Sequence, residues 1–362
     1  MKIVEDRRAL HQIPELDREL PQTLAYIRQA LEGLNCQVFS PMAGSLCAFF
    51  NFGAAKAIAF RADADALPIQ EQSQAPYASR HPGRMHACGH DGHMAIALEL
   101  ARRLDRKENL GANVLIVFQP AEETTGGARD LCDTGIFEIY GVEAIFGLHL
   151  WPGLDKGGAY SRQGAMMSRS CEVDVIVTGR SAHIAKAREG LDALAAAVKI
   201  YDLASDLERT VEPESFKILR FGRLDGGTVR NAVAGEARLL GTLRAFRDPV
   251  FFRLQEELTQ ICQDVAQQTG CFVDMRMSEG YPAVWNPDAL YDRVRELVPF
   301  RILEEPSLTT EDFSWYQQRL PGMFFFLGIG DAPALHSDGF DFDESVLTAG
   351  ADLFEKLAEA WI

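Results

Sequence analysis

Hydrophobic and polar residues follow three rhythms along this chain. In residues 5–34, apolar side chains recur at helical spacing through Leu10, Ile13, Leu16, Leu20, Leu24, Ile27 and Leu31. That period predicts helix, interrupted at Pro14 and Pro21, which lack a backbone N–H. Two short apolar runs, residues 57–60 and 114–118, then end in polar clusters. Buried strands read this way when their carboxyl ends carry a site. Residues 94–104, between these runs, read as helix, and a third run over 144–148 leads directly into His149.

From about Ser168 the rhythm becomes strict alternation, with Cys171, Val173, Val175 and Val177 on one face. A helical stretch over 194–207, strands over 216–221 and 237–246, a long helix over 250–269 and a strand over 271–275 complete the order β-α-β-β-α-β. This order predicts a small split βαβ module with helices on one sheet face. Polar clusters resume at Glu311, Asp312 and His336. The expected fold is therefore α/β. A first domain with a mixed central sheet flanked by helices spans 1–167 and 279–362, and a small α+β, ferredoxin-like domain is inserted over 168–278.

A length of 362 residues fits two cores better than one. No apolar run approaches the ~20 residues that cross a bilayer, so no membrane partner is expected. The first residues are charged and lack the apolar core of a secretory signal, which points to the cytoplasm. A formal charge of −16 without a long basic run argues against a nucleic-acid partner. The seven cysteines are scattered, odd in number and without a CxxC pair, as free thiols in a reducing compartment are.

The densest chemical signal is His86-Ala87-Cys88-Gly89-His90-Asp91-Gly92-His93, which places three histidines and a cysteine within eight residues. Metal binding is the natural reading of such a set, and a thiolate is able to bridge two ions; a histidine-rich loop without ligands is the alternative. Glu122 and Glu123 follow the strand ending at Phe118. Adjacent carboxylates there repel unless a cation or a catalytic task compensates, or unless they simply cap a solvated helix. His149 and His336 are weak signals singly.

Taken in order, His11-Gln12-Ile13-Pro14-Glu15-Leu16, residues 61–68 (RADADALP), the 86–93 cluster, residues 118–123 (FQPAEE), Gly147-Leu148-His149, Thr310-Glu311-Asp312-Phe313 and Leu335-His336-Ser337 form a series. This series resembles the metallopeptidase-like amidohydrolases, the family of aminoacylases, hippurate hydrolases, auxin-conjugate hydrolases and N-acetyldiaminopimelate deacetylases, over nearly the whole chain.

The resemblance implies a zinc-peptidase-like catalytic domain holding two divalent ions (zinc, manganese, cobalt or nickel). Cys88 would bridge them, with His90 and His149 on one and Glu123 and His336 on the other. Glu122 would be the unbound general base, and Asp63 and Asp65 would orient ligands from behind, coordination by Asp63 being the alternative. The inserted domain resembles the family's lid and dimerisation domain through residues 179–183 (GRSAH), Asn231 and residues 241–244 (GTLR). There His183 would stabilise the oxyanion, in relatives often in the neighbouring subunit's site, and Asn231 and Arg244 would hold substrate. A homodimer or dimer of dimers is implied. So is hydrolysis of N-acyl-L-amino acids with an acetyl or other small acyl group, N-acetyldiaminopimelate among the candidates; the alternative is a dipeptidase or carboxypeptidase. Residues 184–190 (IAKAREG) depart from the family's usual Pro-His pair after the histidine, which leaves that loop's substrate contacts open.

Overall fold

The computed structural model describes residues 1–211 and 217–362. The chain forms two compact units, one made of Met1–Met166, Trp285–Glu305 and Asp312–Ile362, the other of Met167–Val284 and Pro306–Glu311. The inserted unit thus runs past residue 278 and takes in a return segment. That segment is held by backbone pairing of Met167 with Ser307 and by Ser168 N–H donating to Thr309 O. Six residues without apolar rhythm give no sign of this in the sequence.

The first unit is built on an eight-stranded mixed sheet. Its strand order is Gln37–Phe39, Leu46–Phe50, Asn113–Gln119, Ala57–Asp63, Val142–Trp151, Gly322–Gly328, Ala159–Ser161, Arg301–Ile302. The four central strands are parallel to their neighbours within that group. Ala57–Asp63, Asn113–Gln119 and Gly322–Gly328 are buried at every position, which explains their unbroken apolar runs. All four aim their carboxyl ends the same way, and the site lies there. The broken helical start resolves into helices Lys2–His11 and Pro21–Ala30, with Pro21 in the first turn, where its missing N–H costs no bond.

The helix after the 86–93 motif spans His90–Leu104 and so begins before Met94. Its cap, Gly89, has φ +86°, a conformation that favours glycine, and a Cβ there would press on Leu150 Cδ1 at 3.1 Å. His90, Asp91, Gly92 and His93 are all buried in the first turn, and a turn buried all round shows no amphipathic period.

In the second unit four antiparallel strands run in the order Phe272–Met277, Arg169–Thr178, Glu236–Ala245, Lys217–Gly226. Val173, Val175 and Val177 alternate into a core shared with helices Ala193–Thr210 and Asp248–Thr269. The strand expected from Phe216 is seen from Lys217, since Phe216 lies outside the described residues. No helix among the described residues is long and apolar enough to cross a membrane.

Candidate metal centre

Five of the expected side chains converge at the carboxyl ends of the central strands. Cys88 Sγ lies 3.3 Å from His149 Nε2 and 3.3 Å from His336 Nε2. Ligand atoms of Cys88, His90 and His149 lie within 4.8 Å of one another, and so do those of Cys88, Glu123 and His336. The thiol belongs to both groups. Separations near 3.3 Å are those expected between neighbouring ligands at about 2.0–2.3 Å from a common ion. His336 is exposed while the other donors are buried or nearly so, leaving the cluster open on one side, as catalytic rather than structural zinc sites are.

The backbone aims these imidazoles. His90 Nδ1 donates to Asp65 O at 2.8 Å and His149 Nδ1 donates to Leu150 O at 2.7 Å, which leaves a lone pair on each Nε2. His93 is treated the other way. Leu150 N–H donates to its Nε2 at 2.9 Å and its Nδ1 donates to Asp63 at 2.6 Å, so both nitrogens are engaged and neither offers a ligand. Asp65 cradles the paired glutamates, accepting Glu122 N–H at 3.0 Å and Glu123 N–H at 3.1 Å with separate oxygens. Two left-handed residues complete the turns: Ala121 (φ 58°), just before the glutamates, and His336 (φ 65°), whose N–H donates to Ala87 O at 2.8 Å. Strain of this kind persists where the surroundings dictate it.

The electrostatics favour a cation. Burial, then the Glu123 and Glu122 carboxylates, push the Cys88 thiol well above its ordinary value. Burial is also the main cause that raises Asp65 to about 7. Burial alone would lower His90, but Asp63, Glu123 and Asp65 outweigh it and bring it to about 9. The carboxylates that favour positive charge on His90 are the same groups a divalent ion at the centre would satisfy in its place, and such an ion would also favour the Cys88 thiolate. Consistent with that, His90 Nε2 and Glu123 Oε1 are buried without a hydrogen-bond partner among the described residues, although His336 Nε2 stands 3.3 Å from Glu123 Oε1. Buried polar atoms without partners are rare in folded proteins. The donor set therefore fits two divalent ions sharing the thiol.

Asp63 is held further back. It accepts from Arg61 Nη1 at 2.7 Å as well as from His93, and although burial opposes its charge, Arg61, His90 and His93 keep it far below the usual carboxylate range. Arg61, fully buried, also reaches Gln119 and Asp312 at 2.8 Å each. Its role is not evident from residue type. The one sign in the sequence is a charge at the end of the apolar run 57–60. His86, grouped with the ligands by spacing, belongs to neither cluster: both its ring nitrogens lack partners among the described residues and burial lowers it to about 3.

His183, Asn231 and Arg244 belong to the second unit. His183 is exposed, and Ala185 N–H donates to its Nδ1 at 3.2 Å, which places the proton of the neutral ring on Nε2. Ile184 N–H donates to Asn231 O at 2.9 Å, and Arg244 Nη1 donates to Leu308 O at 2.7 Å. The atypical loop forms a short 3-10 helix, Ile184–Glu189, with no buried residue.

The profile of peptidase family M20/M25/M40 matches residues 59–360. The chain belongs to this family. Among M20 relatives, the N-acetyldiaminopimelate deacetylase of Lactococcus lactis subsp. cremoris is 34% identical over 96% of this chain and 95% of its own length. That of Streptococcus sanguinis is 34% identical over 98% and 97%. A crystal structure from Bacillus subtilis, described as a dinuclear metal-binding peptidase of the M20 family, superposes with a TM-score of 0.86 at 30% identity, covering 98% of this chain and 96% of that one. The protein is thus an enzyme of the M20 hydrolases with a large mixed sheet flanked by helices.

Proposed function

We propose that this M20 enzyme hydrolyses the amide bond of N-acyl-L-amino acids bearing an acetyl or other small acyl group. The observation that carries the reading is the Cys88 thiol, 3.3 Å from both His149 and His336, with His90 and Glu123 completing two overlapping donor groups. Relatives at 34% identity named N-acetyldiaminopimelate deacetylase support the substrate class.

In this reading Cys88 is shared, His90 and His149 serve one ion, and Glu123 and His336 serve the other. Divalent ions held there supply Lewis acidity toward water and an amide carbonyl. Glu122, presented by the Asp65 cradle beside these donors, takes the proton of the attacking water. It then delivers that proton to the amide nitrogen as the C–N bond breaks. His183 donates Nε2–H to the carbonyl oxygen as negative charge builds on it, the tautomer its Ala185 contact imposes. Asp63 and Asp65 keep His93, His90 and both glutamates in place. Asn231 and Arg244 contact substrate, and the inserted unit joins two chains in a cytoplasmic homodimer or dimer of dimers.

The test is release of free amine from N-acetyl, N-benzoyl and longer acyl amino acids and from dipeptides, after chelation and reloading with zinc, manganese, cobalt or nickel. Acyl amino acids should be turned over fastest, and only by loaded protein. A preference for dipeptides would replace this reading with a peptidase.

A further inference from the structure

Of the five ligands proposed above, His336 has the least local support. His90 opens a helix and His149 lies within strand Val142–Trp151, and each has its Nδ1 held by a carbonyl. His336 sits in residues 329–345, which join strand Gly322–Gly328 to helix Val346–Ala360 without regular structure. Its side chain is 52% exposed, and its Nδ1 makes no hydrogen bond among the described residues. Main-chain bonds from His336 N–H to Ala87 O and from Gln72 N–H to Asp338 O, both 2.8 Å, tie this loop to its surroundings. Phe340 and Phe342 bury their rings, which anchors the loop without fixing its direction.

Direction comes from Arg7. Its guanidinium, fully buried on helix Lys2–His11, donates from Nε to Asp91 Oδ2 at 2.8 Å and from Nη2 to Asp341 Oδ1 at 2.9 Å. Nη1 stands 3.4 Å from Glu344 Oε1, and the central carbon lies 4.9 Å from the Tyr77 ring and 4.6 Å from the Phe342 ring. Asp91 directly follows the ligand His90, and Asp341 lies five residues after the ligand His336. One planar, rigid fork thus spans the two segments that carry them. We propose that Arg7 is a positioning residue that sets the spacing between these segments, so that the ion assigned to Glu123 and His336 depends on it far more than the ion assigned to His90 and His149. Without the fork, His11 still holds Asp91 at 2.7 Å and Asp65 O still holds His90 Nδ1 at 2.8 Å. Across the fold, Asp341 is then left with the Tyr77 hydroxyl, at 2.8 Å. This rests on the division of ligands between two ions given above.

The experiment strips the full-length protein with a chelator and titrates it with cobalt(II), following each ion by absorption spectrum and by elemental analysis. His336→Ala and His149→Ala supply reference spectra for protein that holds one ion or the other. Wild type should bind two ions. Arg7→Lys keeps the charge but cannot bridge both acids. Asp341→Ala cuts the loop end of the bridge at a partly exposed side chain and keeps the test available if Arg7→Lys misfolds. In both variants one ion should bind roughly 10–100-fold more weakly, as when groups behind metal ligands are altered, and the ion retained should give the His336→Ala spectrum. Asp343→Ala, which removes a neighbouring exposed carboxylate paired with Lys156, should leave both ions as in wild type. Four results each overturn the proposal while leaving the two-ion reading intact: equal weakening of both ions, unchanged binding of both, a retained ion with the His149→Ala spectrum, or the same loss in Asp343→Ala. Wild-type protein that binds fewer than two ions overturns both.

Discussion

His90 and His149 are buried and each is aimed by a carbonyl oxygen on Nδ1, whereas His183 is exposed and aimed by a backbone N–H on the same atom. A carbonyl partner leaves the far nitrogen with a lone pair, and an N–H partner leaves it with a proton. The backbone thereby makes the first two rings acceptors suited to a cation and the third a donor suited to an oxyanion. The two regions also differ in support: the buried cluster is tied by Asp63, Asp65 and Arg61, while the His183 loop depends on a few main-chain bonds.

The largest effect that would break this contrast concerns the glutamates. Glu122→Gln keeps the N–H held by Asp65 and removes only the base, so kcat should fall by about 10²–10⁴ with metal content by elemental analysis unchanged. Glu123→Gln should lose metal. Equal metal loss in both variants would end the division of roles.

Next, His183→Ala should lower kcat by roughly 10²–10³ without loss of metal, the scale of one missing oxyanion donor. If His183 serves a partner's site, mixing inactive His183→Ala with inactive Glu122→Gln chains should restore part of the activity. Demonstrated subunit exchange without recovery would confine it to its own chain.

A smaller change is expected from Asp65→Asn, which leaves one carbonyl acceptor where two oxygens held the glutamate amides. Metal affinity, read by competition with a chromophoric chelator, should weaken about 10–100-fold, as when other groups behind metal ligands are altered. An unchanged affinity would show that the strand end alone fixes Glu123.

The smallest effect is on stability. His11 lies 2.7 Å from Asp91 and 3.3 Å from Glu71; burial opposes its charge, but these carboxylates raise it to about 9. This exceeds the unfolded value near 6.5, so the charged ring stabilises the fold fully below about pH 6.5, and the contribution is lost as pH rises through about 9. The calorimetric Tm should drop between pH 7 and pH 10, by roughly 2–4 °C per kcal/mol lost, and His11→Gln should flatten that part of the profile. An identical profile in the variant would assign the drop to other groups.

Rhythm made the four strands of the second sheet legible in advance but only three of the eight in the first, Ala57–Asp63, Asn113–Gln119 and Val142–Trp151; the buried central strand Gly322–Gly328 and the short edge strands went unread. Spacing alone offered His86, Cys88, His90 and His93 as equals. Only the resemblance separated them, since the distinction lies in which backbone atom faces each ring, and that depends on strand Val142–Trp151, more than fifty residues away along the chain. The helix start at His90 was hidden by burial all round, the Asp65 cradle by its dependence on a turn at Ala121, and the return of residues 306–311 by the absence of any period.

Leu150 deserves a last consequence. Its N–H occupies the lone pair of His93 and its C=O takes the proton of His149, so one residue's main chain decides which neighbouring ring is free to bind. Because the selector is not a side chain, ordinary substitution at 150 leaves it in force, and the position is free to drift among residues that fit the core. Proline alone, lacking the N–H, would release His93 Nε2 as an additional donor. The choice of ligands is thereby insulated from most point mutations at the very residue that makes it.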